Sequence, residues 1–312
     1  MAREHGAEVH ERTDLAVPGK GPALGWLVDR LVDGGEPIDA MVIVDADTSM
    51  APEFLRAADA AIAGGGSAWQ AYYTVRHPDL SPSTALRHAA LVLRHYVRPL
   101  GRTVLGGSCG LFGNGMVFRS EVLRERRFSA HLTEDVEFQL ELLLQGEIVR
   151  FMPDGVVEAE MPSTLDAART QNERWELGRL QLARRYVPEL ARRALRPGQE
   201  HRPALVDATL DQLVPPLSVL AAATSAVVVG SALVGGRGSS RMGRVGLTLA
   251  GASVFGLLVH VFGGLKLARV PRSVYVALLH APRLVVWKVG LWLRVLLRPD
   301  GVSWTRTQRN RP

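Results

Sequence analysis

With 312 residues and 33.9 kDa, the chain holds one large domain or two smaller ones, and 47% hydrophobic against 22% charged residues exclude a disordered chain or a disulfide-stapled miniature. The single cysteine, Cys109, excludes an internal disulfide and fits a reducing compartment, and the nine histidines show no Cys/His or HExxH spacing for a zinc site. Net charge is +6 with a pI near 10.0, yet ten of the 37 basic residues fall between Asp211 and Asp300, a stretch without acid, which leaves 27 basic against 31 acidic residues elsewhere. The basicity belongs to the apolar C-terminal third, as expected beside anionic lipid, whereas a nucleic-acid binder would carry it on the soluble part.

Up to about residue 212, apolar runs, Gly/Pro punctuation and amphipathic segments alternate as in a soluble α/β domain. Met41 to Val44 reads as a short buried strand running directly into Asp45-Ala46-Asp47. Ligands in open α/β sheets bind at the carboxyl ends of strands, and two acids at i and i+2 there can hold a hard divalent cation, Mg²⁺ or Mn²⁺, against a diphosphate. An Asp-rich turn explains the triplet equally. Thr133-Glu134-Asp135 precedes a helix patterned by Val136, Leu140, Leu143 and Leu144. Thr133 reads as an N-cap and the acids suit the helix dipole; the functional alternative makes Asp135 a general base.

Gln171, Arg174 and Trp175, at i, i+3 and i+4, share one helical face that offers an amide, a guanidinium and a large aromatic. Such a set suits diphosphate oxygens and a sugar ring. Arg169, Arg179, Arg184, Arg185, Arg192 and Arg193 follow the same path and equally suit a helix lying on lipid headgroups. Both properties fit one helix.

Val214 to Gly236 and Val245 to Leu265 are uncharged and long enough to span a bilayer, joined by a short polar Gly-Gly-Arg-Gly-Ser-Ser-Arg turn, with Pro215 and Pro216 expected in the first turn of the earlier helix. Two buried helices of a soluble protein are the alternative, but those are usually shorter and amphipathic. A third segment, Tyr275 to Leu297, carries Arg283, Lys288 and Arg294. Central charges are costly in hydrocarbon, so an interfacial helix is preferred there over a third span. The first thirty residues lack an apolar core, so no secretory signal is expected and the soluble part should stay cytoplasmic on a multi-pass protein of the cell membrane. The expected organisation is a partial catalytic domain over 1–165, an interfacial helical segment over 166–212, a membrane region over 213–298 and a basic tail over 299–312.

In order and spacing, DAD at 45–47, TED at 133–135 and QNERW at 171–175 resemble the family 2 glycosyltransferases of the GT-A fold, and most of all the membrane-integrated branch of cellulose, chitin and hyaluronan synthases. Gly19 to Leu24 resembles that family's GKG-x-AL segment, Gly106 to Arg119 its glycine-rich loop, and Trp304-Thr305-Arg306-Thr307 its C-terminal tails. The resemblance implies an α/β, Rossmann-like GT-A domain followed by transmembrane helices. It implies Asp47 on Mg²⁺ or Mn²⁺, and Asp45 on the nucleotide of a diphosphate-sugar donor, a UDP-sugar first. Asp135 becomes the catalytic base with Glu134 beside it, and Gln171, Arg174 and Trp175 shape the acceptor and diphosphate side. The reaction implied is an inverting transfer to a saccharide or lipid-linked acceptor, as in polysaccharide biosynthesis. Lys20, the only lysine before residue 266, sits in a Gly-Lys-Gly turn from which it can reach the nucleotide or simply face water.

The chain departs from the family at its start. The opening strand that ends in a Pro-x-x-Asn-type segment, and the following strand that supplies an acid for the base, have no counterpart in the twenty residues up to Lys20. The sequence therefore reads as N-terminally truncated. A non-catalytic membrane scaffold, or a fragment lacking a complete donor site, stays open beside the enzyme.

Overall fold

The computed structural model describes residues 2–14, 16–33, 37–162, 164–235 and 241–298. The polar connection at 236–240, the Trp304 to Thr307 match and the basic tail lie outside the described residues.

Among the described residues the sheet has five strands: β1 (Ala40–Ile43), β2 (Thr48–Met50), β3 (Ala68–Val75), β4 (Met116–Arg119) and β5 (Val149–Ala159), in the order β1-β4-β3-β5-β2. Only the β3–β5 pair is parallel, with Ala68 opposite Val149 and Val75 opposite Ala159. The other three pairings are antiparallel. The register jumps between Ala71 and Tyr72, where Met152 and Val156 are successive partners and Pro153-Asp154-Gly155 are left over. Pro153 has no N–H to give to the ladder, so a bulge is where the strand can carry it.

Strand β3 lacks the polar alternation of a half-exposed strand because both its faces are covered. Ala68 joins Phe118, Val149, Phe138 and Leu142 on one side, which α1 (Lys20–Asp33), α5 (Ser120–Glu125) and α6 (Glu134–Leu144) cover. Trp69 and Ala71 join Val117, Val157 and Phe54 on the other, where α2 (Phe54–Ala63) packs. At Ser81 a full capping box with Thr84, and Pro82 in the first turn, start α3 (Pro82–Val92). One π-turn over 93–97 follows before α4 (Arg98–Val104).

Helix α7 (Arg169–Ala194) and α8 (Arg202–Leu213) close the back of α6 through Leu140, Leu143, Leu182, Tyr186, Leu190 and Leu205. Then the character changes. Val214 is extended, as a residue before proline prefers, and the chain bends by 67° between α8 and α9 (Leu217–Gly235). Pro215 and Pro216 thus sit in the bend just before the helix, not inside its first turn. The Pro216 carbonyl accepts the first helical bonds, from Val219 and Leu220 N–H.

Next come α10 (Arg241–Leu258), a second π-turn over 259–263, α11 (Gly264–Leu267), α12 (Arg272–Ala277) and α13 (Ala281–Leu297). Two helical stretches, Arg244–Leu267 and Arg272–Leu297, are each long and apolar enough to cross a membrane, and α9 qualifies when taken with α8 across their bend. Only 6% of the most apolar window of Arg244–Leu267 is buried inside the protein, so its surface is left for another apolar medium. The third segment, expected at an interface, is thus also long and apolar enough to span. Of the three charges that argued against it, Lys288 and Arg294 are turned onto acids of α7, while Arg283 stays exposed.

Candidate active site

The DAD triplet follows β1 directly. Thr48 N–H closes a turn onto the Asp45 carbonyl at 3.0 Å, and Asn114 fastens that turn from the glycine-rich loop. Its Oδ1 accepts from Asp45 N–H at 3.1 Å, while its Nδ2 donates to Thr48 Oγ1 at 2.7 Å. The loop is held in turn by two buried glutamines. Gln70, in the middle of β3, donates through Nε2 to the Asn114 carbonyl at 2.7 Å and accepts from Phe112 N–H at 2.9 Å. Gln139, on α6, accepts from Leu111 N–H at 3.2 Å. A buried amide bonded at both its ends, as Gln70 is, is costly to displace, and Gln139 adds a second tie, so the loop is held from sheet and helix at once.

Lys20 opens α1 and is not part of a surface turn. Its Nζ lies 2.5 Å from Asp45 Oδ1 and also donates to the Gly113 carbonyl. Gly113 has φ of +75°, and a Cβ built there would stand 3.1 Å from Asp135 Oδ2. A glycine both permits that left-handed turn and lets the loop backbone close on the carboxylate. Asp45, Lys20 and the Gly113 carbonyl therefore form one run of hydrogen bonds, and Asp135 stands beside Gly113, within the field of the same ammonium.

Glu134 and Asp135 occupy the first turn of α6, half-buried. Burial pushes the Asp135 carboxyl above the usual aspartate range, against the pull of the Val136 N–H and the charges of Lys20 and Arg94. Burial and the adjacent Asp135 charge push Glu134 up to about 7. Thr133 stands at the N-cap position, but its hydroxyl caps nothing. Thr133 Oγ1 faces His131 Nδ1 at 3.2 Å and is pressed against α7, where a Cβ on Gly178 would lie 2.6 Å away.

That close approach brings α7 onto the TED segment. Gln171 Oε1 and Arg174 Nε are buried with no hydrogen-bond partner among the described residues, and Trp175 is 39% exposed. The Arg174 guanidinium is lowered by burial and held up by the Glu134 charge, so the two motifs share one electrostatic neighbourhood. Asp47 acts with Asp45 on the buried Tyr73 phenol, which burial raises above its ordinary value. Among the described residues no three His, Cys, Asp or Glu side chains converge as a protein-only metal cage. Two aspartates can supply only part of a divalent ion's oxygen shell, as suits an ion whose other ligands are diphosphate oxygens and water.

The family model described as glycosyl transferase family group 2 matches residues 40–299. The chain belongs to that family. This glycosyltransferase accordingly has the GT-A fold, a mixed sheet with helices on both faces, and it carries C-terminal helices apolar enough to span a membrane. Among solved structures it is similar to a mannosyltransferase, PcManGT from Pyrobaculum calidifontis, in complex with GDP-Man and Mn²⁺. That likeness has 16% identity and a TM-score of 0.41, covering 78% of this chain and 67% of that one. Comparison with curated proteins gives no significant match.

The glycosyltransferase thus sets Glu134 within electrostatic reach of Lys20, Asp45, Asp135 and Arg174, and Asp135 within reach of Lys20, while Asp45 and, more weakly, Asp47 act on Tyr73. Sequence reasoning missed Gln70, Asn114 and Gln139, which hold the loop between these groups. One signal existed. Gln70 is the one amide in the uncharged run Ala68-Trp-Gln-Ala-Tyr-Tyr-Thr-Val75, and a buried amide in such a strand has to satisfy something.

Proposed function

We propose that this glycosyltransferase is a membrane-bound, inverting enzyme that moves a sugar from a nucleoside-diphosphate donor to a hydroxyl of a saccharide or lipid-linked acceptor. The observation that carries the reading is the run from Asp45 through Lys20 and Gly113 to Asp135. A donor diphosphate at the DAD turn and an acceptor hydroxyl at Asp135 would then meet across a single glycine-lined edge. The unpartnered Gln171 Oε1 and Arg174 Nε support a ligand on the same side.

In this reading the acceptor oxygen attacks the anomeric carbon from the face opposite the diphosphate. Its proton passes to an Asp135 carboxylate oxygen, and the bond to the diphosphate breaks with its electron pair leaving on phosphate oxygen. Lys20 holds Asp45 toward the nucleotide, and Asp47, two residues on, is the carboxylate assigned to the cation. Mg²⁺ or Mn²⁺, when bound, supplies charge that offsets the departing diphosphate. Arg174 adds a guanidinium suited to the same oxygens, and Trp175 a face for a sugar ring. A UDP-sugar is the first donor to try. The apolar stretches Arg244–Leu267 and Arg272–Leu297, with α9, would form a multi-pass anchor whose catalytic side is cytoplasmic.

The test is Asp135→Asn against Glu134→Gln in membranes supplied with radiolabelled donor. Both keep volume and helix position, so either should cost at most about 0.3–1 kcal/mol of dipole stabilisation. Loss of the proton acceptor should slow transfer by about 10²–10⁴ in Asp135→Asn, with donor binding preserved. Near-normal transfer by Asp135→Asn would make Asp135 a helix-start acid only and end the mechanism.

A further inference from the structure

On α7 the residues Gln171, Arg174, Trp175 and Gly178 share one face, and at 3.6 residues per turn Asn172, Glu173, Glu176 and Leu180 fall on the opposite one. The first face looks toward the TED segment. The second is covered by α13. Lys288 Nζ stands 2.8 Å from Glu176 Oε1 and 2.7 Å from Asn172 Oδ1. Side-chain exposures of 14% for Lys288 and 7% for Glu176 put that pair inside the protein. Nearly two turns further along α13, Arg294 reaches Glu173 at 3.3 Å. Apolar contacts close the seam, with Leu291 and Val295 of α13 against Leu177, flanked by Trp287, Leu180 and Leu132. Leu132 directly precedes the TED segment.

Two features make this seam more than adhesion. An ammonium shared between a carboxylate and an amide oxygen fixes direction as well as distance, because donors must point at both acceptors. A helix packed by apolar contacts alone tolerates rotation and sliding far better than one with buried polar partners to satisfy. Asn172 Nδ2 is committed to the Ala168 carbonyl at 2.8 Å, so its Oδ1 faces α13 in one orientation only. Rotating α7 would strip Glu176 of its counter-ion inside the protein, which is strongly disfavoured.

We infer that Lys288 is a positioning residue for transfer: while Tyr186 and Arg185 tie the later half of α7 to Glu137 and Glu141, Lys288 fixes the rotation of its first half from the apolar C-terminal helix, and thereby the aim of Gln171, Arg174 and Trp175 into the site. This rests on the proposed role of those three residues. It also assigns α13 a part in the reaction's geometry beyond any anchoring. The other basic groups on α13 differ from Lys288 in that Arg294 is half-exposed and Arg283 has no acid partner among the described residues.

The experiment uses the full chain in detergent, labelled with 5-fluorotryptophan, and the ¹⁹F resonance of Trp175 identified by its loss in Trp175→Phe. Lys288→Met should shift or broaden that resonance and lower the maximal transfer rate by about 10-fold or more, with the donor KM rising by a smaller factor, since misaim by a fraction of a helix turn hurts alignment more than binding. Lys288→Arg, which keeps the charge and can still donate to both acceptors, should restore both readings. If Lys288→Met does not fold, Lys288→Met with Glu176→Leu removes both buried charges and is read the same way. An unmoved Trp175 resonance, with transfer falling only as far as the folded fraction falls, would overturn the inference. Absence of transfer in the wild type would sink the proposed function instead, and the Trp175 resonance would still decide the case for Lys288.

Discussion

Lys20 and Asp45 meet across 25 residues of chain, Nζ to Oδ1 at 2.5 Å, at the junction where the first helix, the DAD turn and the glycine-rich loop converge. Both side chains keep some solvent contact, 30% and 42% exposed, so the pair is accessible to a ligand and is not a sealed structural bridge.

Lys20→Met tests what that contact does. A partly exposed ion pair contributes little to stability, about 0–1 kcal/mol, so the melting temperature should fall by a small amount at most. Donor binding should suffer more. A charge-assisted hydrogen bond to Asp45 or to the nucleotide is worth about 1.5–3 kcal/mol, or roughly 10- to 100-fold in affinity. Calorimetry with a UDP-sugar and Mn²⁺ measures it, and an unchanged Kd would make Lys20 a bystander.

Much of this site was visible in the sequence because its chemistry sits at fixed positions relative to regular elements. Acids just beyond a short apolar strand, acids opening an amphipathic helix, and an i, i+3, i+4 set on a third helix each survive any uncertainty about how elements pack. What escaped notice depends on tertiary approach. Gly19-Lys20-Gly21-Pro22 looks like a turn, yet the chain starts α1 at Lys20, and only the fold reveals that Asp45 lies within its reach. Thr133 has an N-cap's type and place, but its hydroxyl is claimed by His131 and crowded by α7. Pro153-Asp154-Gly155 has turn chemistry and is absorbed as a bulge within β5. Charges on the last apolar helix look prohibitive until Glu173 and Glu176 are seen facing them.

The raised carboxyls of the TED segment give a pH dependence with a definite sign. A base must be ionised, so the acid limb of transfer should lie above the ordinary aspartate range, and activity should climb as pH rises through it. Stability runs the other way. A carboxyl whose folded value is raised contributes stability in full below its unfolded value, and loses it as pH rises through the folded one. For Glu134, raised to about 7, that window spans roughly pH 4 to 7. Asp211, held low by Arg98 and Arg102, acts only below this window. His95 and His88, held below the ordinary histidine value by burial, add stability as pH rises through the same range in both proteins. The melting temperature of ligand-free Glu134→Gln should therefore climb relative to wild type between pH 5 and 7.5. Parallel curves would mean that burial does not raise the pair.

Gly178 lets α7 touch the TED segment. In Gly178→Ala the new methyl would meet Thr133 Oγ1 at 2.6 Å and Cγ2 at 2.7 Å, in a place where Thr133 is buried. Overpacking of this kind costs about 1–3 kcal/mol, offset by roughly 1 kcal/mol of better helix propensity. A net loss of stability accompanied by slower transfer is expected. Thr133→Ala removes both clashing atoms and sacrifices no cap, so the double variant should regain most of what Gly178→Ala lost. A double variant no better than Gly178→Ala would place the strain elsewhere.

Asp47→Asn separates the metal's share from the nucleotide's. The carboxylate follows β1 closely, its partner Asp45 is engaged by Lys20, and no third acid converges on the pair among the described residues. A divalent ion there would depend on Asp47 for protein charge. A neutral amide is a poorer ligand for Mg²⁺ or Mn²⁺ than a carboxylate, because it offers an oxygen without the negative charge. The fold should tolerate the change, because the residue lies in the turn between β1 and β2 and its volume is kept. The expected result is a UDP-sugar affinity that no longer responds to Mn²⁺, with the metal-free affinity left near wild type. Titration calorimetry with and without Mn²⁺ reads both quantities on one preparation. If Mn²⁺ still tightens donor binding in Asp47→Asn as much as in wild type, the ion is held by other groups and Asp47 is not its ligand.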